Sequence, residues 1–179
     1  NKLKEQNLEQ NTLVIFFSDN GPTAIGSTGP FSGNKGHVFE GGIRVPCIIR
    51  WPGQIRQGSV SDQSFISMDI TASIAALLQT IPEKGLDGID LLGHLISGEK
   101  NFNRNLFWRK KRGQQVRSAV RSGSLKYIRD EDEEISNEYL FDLSKDPGET
   151  NNQLDNLPQK RRQLEQLLAD WEKEVQPER

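Results

Sequence analysis

The feature that most constrains this chain is a short apolar run that ends in a long glycine-studded stretch. Thr12-Leu13-Val14-Ile15-Phe16-Phe17 is too short for a helix with a solvent side. Its β-branched and aromatic content suits a strand buried on both faces, as in a parallel α/β sheet. The strand stops at Ser18-Asp19-Asn20-Gly21-Pro22, and Gly26, Gly29, Gly33, Gly36, Gly41 and Gly42 follow at a density that disfavours regular structure. Long loops in compact domains are usually functional, and open α/β sheets hold ligands at the carboxyl ends of their strands, so any site in this chain is expected here.

The rest of the 179-residue sequence is read around that junction. Residues 1–11 are polar, with Leu3 and Leu8 on one weak stripe, and read as a helix leading into the strand. Val45 to Trp51 is a second short strand closed by Pro52-Gly53. Asp69 is expected to cap a helix that reaches Leu78, with Ile70, Ile74, Leu77 and Leu78 at helical spacing. Leu86 to Leu95 reads as a glycine-interrupted connector. Shorter segments of strand character then follow at 106–108, 116–121, 125–129 and 138–143, with Ser122-Gly123 as a tight turn. Pro158 opens a helix on which Leu164, Leu167, Leu168, Trp171 and Val175 recur every three or four residues. The chain is therefore expected to be α/β over residues 1–100 and a small α+β subdomain over 101–179, an antiparallel sheet covered by a terminal helix.

Composition narrows the function classes. Lys plus Arg total 23 against 25 Asp plus Glu, a net charge of -2 that gives no global field for nucleic acid or an anionic membrane. The single cysteine, Cys47, excludes an internal disulfide and a cysteine zinc cluster. No apolar stretch approaches the roughly 20 residues that span a bilayer. The only methionine is Met68 and the chain opens at Asn1, so it reads as the tail of a longer protein.

Three constellations in the glycine-rich stretch could carry chemistry. Asp19-Asn20 offers a carboxylate and an amide carbonyl, two hard oxygens suited to Ca²⁺ or Mg²⁺, or else simply a turn. Gly33-Asn34-Lys35-Gly36 lets backbone approach an anion beside an ammonium, or leaves a surface lysine in a loop; its spacing is not that of a nucleotide P-loop. Glu40-Gly41-Gly42-Ile43-Arg44-Val45-Pro46 sets opposite charges around paired glycines and reads as a salt bridge that closes the loop. His37 reads as an exposed loop histidine and His94 as an exposed residue near a helix end. Cys47 reads as a small buried hydrophobe.

In this order the pieces resemble the carboxyl-terminal half of the type I sulfatases, members of the alkaline phosphatase-like superfamily. The likeness runs through Ser18-Asp19-Asn20-Gly21, Gly33-Asn34-Lys35 and Glu40 to Pro46. It continues at Trp51-Pro52-Gly53, Asp69-Ile70, Leu86-Asp87-Gly88-Ile89-Asp90-Leu91, Val120-Arg121, Lys126-Tyr127, Leu140-Phe141-Asp142-Leu143 and Asp146-Pro147-Gly148-Glu149. It implies that residues 1–100 close an alkaline phosphatase-like parallel-sheet domain. It also implies that Asp19 and Asn20 are ligands of Ca²⁺ or Mg²⁺, and that Lys35 contacts the sulfate and ester oxygens as a catalytic and substrate-binding residue. The partner implied is a sulfated small molecule or sulfated carbohydrate, and an exported location (periplasmic, lysosomal or extracellular) accords with it. The family's formylglycine nucleophile comes from a Cys/Ser-x-Pro/Ala-x-Arg motif that this sequence does not contain, so that group and the first pair of metal carboxylates are expected upstream. A phosphonate or phosphate ester hydrolase of the same superfamily, and a non-catalytic carbohydrate-binding or structural module, are the alternatives.

One charge run remains. Between Arg104 and Arg121 lie seven basic residues and no acidic one, four of them consecutive at Arg109-Lys110-Lys111-Arg112. Either they attract a sulfated polysaccharide, or they form a solvated hairpin tip paired across strands with the acidic run Asp130 to Glu134.

Overall fold

A computed structural model describes residues 2–80 and 82–175. By contacts the chain divides into two units, one made of Asn1–Asp19 and Pro46–Phe102, the other of Asn20–Val45 and Asn103–Arg179. The glycine-rich segment thus packs with residues 103 onward, not with the first hundred residues among which the linear reading placed it. The physical reason is a buried ion network, described below, whose partners lie far along the chain.

In the first unit the amino-terminal helix shrinks to one turn, α1 (Lys2–Glu5), and a 3₁₀ turn at Glu9–Asn11. Strand β1 (Val14–Phe17) pairs antiparallel with β2 (Cys47–Arg50), placing Val14 opposite Arg50 and Phe17 opposite Cys47. The parallel pairing and two-sided burial expected of β1 are not formed among the described residues. Phe16 is 68% and Ile48 62% exposed, because no second layer of described residues covers the pair. Helix α3 (Ser67–Leu77) and a short α4 (Leu91–Ser97) pack together around Ala72, Leu91 and Leu92.

Asp69 is not the cap of α3 but its third residue, and its carboxylate reaches back to accept the Ile66 N–H at 2.8 Å and across to accept the Ile89 N–H at 3.0 Å. The Ser73 hydroxyl in turn accepts the N–H groups of Leu91 and Leu92. These bonds satisfy donors at the start of α4, which otherwise have no partner within the helix. Gly88 is obligatory there, since a Cβ would sit 2.3 Å from the Met68 carbonyl oxygen. The Leu86 to Leu91 segment is therefore a structural latch on α3. The connector expected up to Leu95 is in its second half a helix, capped by Asp90, whose carboxylate accepts the Gly93 N–H at 2.8 Å.

In the second unit, β3 (Asn105–Arg112), β4 (Gln115–Ser122), β5 (Leu125–Glu131) and β6 (Ser136–Asp142) form an antiparallel meander in that order. Gly123, at φ +61°, supplies the turn between β4 and β5. Alternation sorts the side chains onto two covered faces. Val120, Tyr127 and Leu140 pack against Leu164 and Leu168 of α5 (Pro158–Val175), and Trp171 stacks on Phe107 with ring centroids 5.0 Å apart. Each fully buried leucine or aromatic contributes about 1.5–3 kcal/mol. Glu172 fixes the helix rotation by accepting from the Ser118 hydroxyl and pairing with Arg129. On the opposite face Ala119, Ile128 and Phe141 pack against Val38 and Phe39, so the glycine-rich segment forms the second cover of the sheet.

Candidate functional site

The segment from Asn20 to Val45 holds its shape by backbone contacts that only glycine allows. A Cβ on Gly41 would lie 2.4 Å from the Gly33 carbonyl oxygen, and one on Gly42 would lie 2.2 Å from that of His37. The short helix α2 (Glu40–Ile43) is thereby nested inside the 32–37 turn, with the Gly41 N–H donating to Ser32 O at 2.7 Å and the Gly21 N–H to Gly42 O at 2.8 Å. The Lys35 N–H donates to Pro22 O at 2.8 Å, which seats the lysine backbone against the segment that follows Asn20. Lys35 itself is exposed and Asn20 half-buried.

Beneath this loop lies a buried charge cluster. Lys126, 0% exposed, holds its ammonium 2.9 Å from Glu40 Oε1 and 2.8 Å from Glu149 Oε1. Glu149 also accepts the Glu40 N–H through Oε2 at 2.6 Å. Arg44 and Arg121 approach the other oxygen of Glu40 at 3.6 and 3.7 Å. Burial raises the Glu149 carboxyl above its ordinary pKa, and the Lys126 ammonium offsets part of that rise. The expected Glu40–Arg44 bridge is present, but it is the outer contact, and the desolvated cation between the two carboxylates is the inner one. Lys126 was visible in the sequence as a charge inside the otherwise apolar Leu125-Lys126-Tyr127-Ile128 strand; its partners were not.

Glu149 reaches the cluster from a tight turn. It adopts φ +55°, and the Asp146 carboxylate beneath it accepts the N–H groups of Thr150 and Asn151 at 2.9 and 2.8 Å. The Ser32 hydroxyl donates to Gly148 O at 2.6 Å, tying the glycine-rich loop to the same turn.

The other sequence candidates fall as follows. Asp19 is exposed and closes the first unit, Asn20 opens the second, and the two are joined by one peptide bond. Their carboxylate and amide oxygens fit a hard divalent cation, but supply two of the six or more ligands it takes. Among the described residues no group of three His, Cys, Asp or Glu side chains completes such a shell. His37 is half-buried, with Nδ1 accepting the Asn34 N–H at 3.2 Å. His94 is buried, not exposed: it lies in α4 with its ring edge-on to Phe102 at 5.2 Å, because the 91–97 segment is a packed helix. Cys47 is half-buried in β2, and burial raises its thiol pKa, the opposite of what activates a nucleophilic cysteine. Of the basic run, Arg117 pairs with Asp130 at 2.8 Å as cross-strand pairing predicted, whereas Arg109 turns to Glu172 at 3.7 Å. An open cleft of about 340 Å³ lies where the loop meets the hairpin, lined by Lys35, His37, Lys110, Arg112, Gln115 and Arg117 among others.

This fold is that of sulfatases. The sulfatase family model matches residues 1–80, and the chain belongs to that family. Bovine (Bos taurus) arylsulfatase A is 35% identical over 90% of this chain and 38% of its own length. The N-acetylgalactosamine-6-sulfatase of Canis lupus familiaris is 39% identical over 54% of this chain and 20% of its own. A solved structure from the metabolism of multiple glycosaminoglycans by Bacteroides thetaiotaomicron superposes with a TM-score of 0.79 at 28% identity, covering 96% of this chain and 41% of that one. The chain thus spans well under half the length of the relatives it matches.

Proposed function

We propose that the full-length protein hydrolyses sulfate esters, with Lys35 as the cation that meets the ester oxygens and Asp19 and Asn20 as two ligands of a Ca²⁺ or Mg²⁺ ion. The observation that carries the proposal is the hydrogen bond from the Lys35 N–H to Pro22 O, which holds the Lys35 backbone against a residue two past Asn20 in sequence and so supports a shared site for the two side chains. A sulfate monoester is an anion whose S–O cleavage builds charge on the leaving oxygen. An ammonium positioned there stabilises the transition state more than the ground state, and can return a proton to the departing alcohol. The bound ion would add Lewis-acid neutralisation of the sulfate oxygens. Asp19 and Asn20 would hold it together with ligands outside this chain, which would also supply the formylglycine nucleophile. Similarity to an N-acetylgalactosamine-6-sulfatase favours a sulfated carbohydrate as substrate.

The test uses the full-length protein with aryl sulfate and aryl phosphate substrates. Asp19→Ala should lose bound metal and turnover together. Lys35→Ala should keep the metal, measured by elemental analysis, and lose roughly 10²–10³ in kcat, the scale of one transition-state donor. Wild-type rates in both variants, or faster turnover of the phosphate, would refute the assignment.

A further inference from the structure

We propose that the cleft between the glycine-rich loop and the β3–β4 hairpin is a second oxyanion subsite, in which Lys110, Arg112 and Arg117 hold an additional sulfate or carboxylate of a polyanionic saccharide. This rests on the reading of Lys35 as the ester-binding cation and deepens it by naming what lies next to the ester. Strand alternation places Lys110 and Arg112 on one face of β3 and Lys111 on the other, so the basic run is divided and not a uniform tip. Lys110 stands directly opposite Arg117, and Arg112 opposite Gln115. Like charges directly across a ladder are destabilising. Asp130 answers Arg117 at 2.8 Å and accepts from the Gln115 amide at 2.9 Å, while among the described residues no carboxylate pairs with Lys35, Lys110 or Arg112, and none lines the cleft.

The loop is shaped to let these cations converge. Gly36, at φ +92°, has the Lys110 ammonium lying over it, only 2.4 Å from where a Cβ would stand. The cleft is open and of a volume found for small-molecule sites, which run from roughly 300 Å³ upward. Three cations without a carboxylate partner, Lys35, Lys110 and Arg112, beside Arg117 held in place by Asp130, match a sugar unit bearing a second oxyanion.

The experiment measures equilibrium binding to the full-length protein by calorimetry, with disaccharides carrying sulfonate in place of sulfate ester so that nothing is hydrolysed. The probes are a monosulfonate, a bis-sulfonate and a sulfonate–uronate. Wild-type protein should bind one or both dianionic probes at least about tenfold more tightly than the monoanion, and which one it prefers identifies the second group as sulfate or carboxylate. Lys110→Ser/Arg112→Ser should bring that ratio close to one. The charge-matched Lys111→Ser/Arg162→Ser, both exposed and away from the cleft, should preserve it. A wild-type ratio near one, or the same fall in both double variants, would overturn the subsite. If instead the ratios behave as stated while no sulfate ester is turned over, the hydrolase reading falls and the binding site stands.

Discussion

Replacing Lys126 by methionine removes a cation and leaves its cavity filled. The ammonium has no solvent contact and lies 2.8–2.9 Å from two carboxylates that are themselves 2% and 5% exposed. At an effective dielectric near 20 each contact carries roughly 6 kcal/mol of Coulomb attraction. Most of that is consumed by desolvation of the three charges, so the intact cluster contributes little net stability. Its disruption is another matter, because Glu149 would stay buried without a counter-charge and Glu40 would keep only Arg44 and Arg121 at 3.6 and 3.7 Å, and breaking a buried pair costs about 3–5 kcal/mol. Lys126→Met in the full-length protein should therefore lose about that much in urea unfolding followed by tryptophan fluorescence, for which Trp108, whose ring centroid is 6.0 Å from the Lys126 ammonium, is a local reporter. Burial already raises the Glu149 pKa, and losing the cation raises it further. The uncompensated carboxylate is relieved by protonation, so the deficit should be smaller at pH 5 than at pH 8. Adding Glu40→Gln and Glu149→Gln should restore part of the loss. A deficit under about 1 kcal/mol, independent of pH, would refute the account.

Two further outcomes are expected. Asp146 is held below the ordinary carboxylate range: burial is the largest single influence and raises it, but the N–H groups of Asn151 and Thr150 and the Thr150 hydroxyl together outweigh it. A depressed carboxyl stabilises the fold above its unfolded pKa and ceases to do so as pH falls through the folded value, so the melting-temperature gap between wild type and Asp146→Asn should close on acidification from pH 7 to pH 3. Gly41→Ala drives a methyl group into the carbonyl oxygens of Ser32 and Gly33, 2.5 and 2.4 Å away. It should displace the Lys35 turn and lower turnover of a sulfate ester while leaving the far-UV circular dichroism of the sheet intact; unchanged turnover would count against the nested loop.

What could be read from the residues alone followed the range over which each signal acts. The β3–β6 meander and α5 were legible because alternation and three-to-four spacing are local, and the strands extended a few residues past their expected ends. Helix α4 was obscured by Gly88 and Gly93, which look like breakers until Ser73 is seen to satisfy its first N–H groups and Asp69 to hold the Ile89 N–H just before it. Asp69 lies three residues past the cap, which is Ile66, and a carboxylate that bonds backward is indistinguishable in sequence from one that caps forward. The site was legible as a set of motifs, but its support was not. Glu40 meets Lys126 and Glu149 across 86 and 109 residues, and no spacing rule spans that distance.

That separation also dictates an order of events during synthesis. The glycine-rich loop leaves the ribosome with Glu40 solvated, and its inner partner Lys126 follows 86 residues later, roughly 4–17 s at ordinary elongation rates. Through that interval the lysine-bearing turn has neither its sheet nor its buried counter-ion. The segment that forms the candidate site is thus among the first parts of this chain to be made and among the last to become fixed, and a pause in translation before residue 126 would lengthen the window in which proteases can reach it.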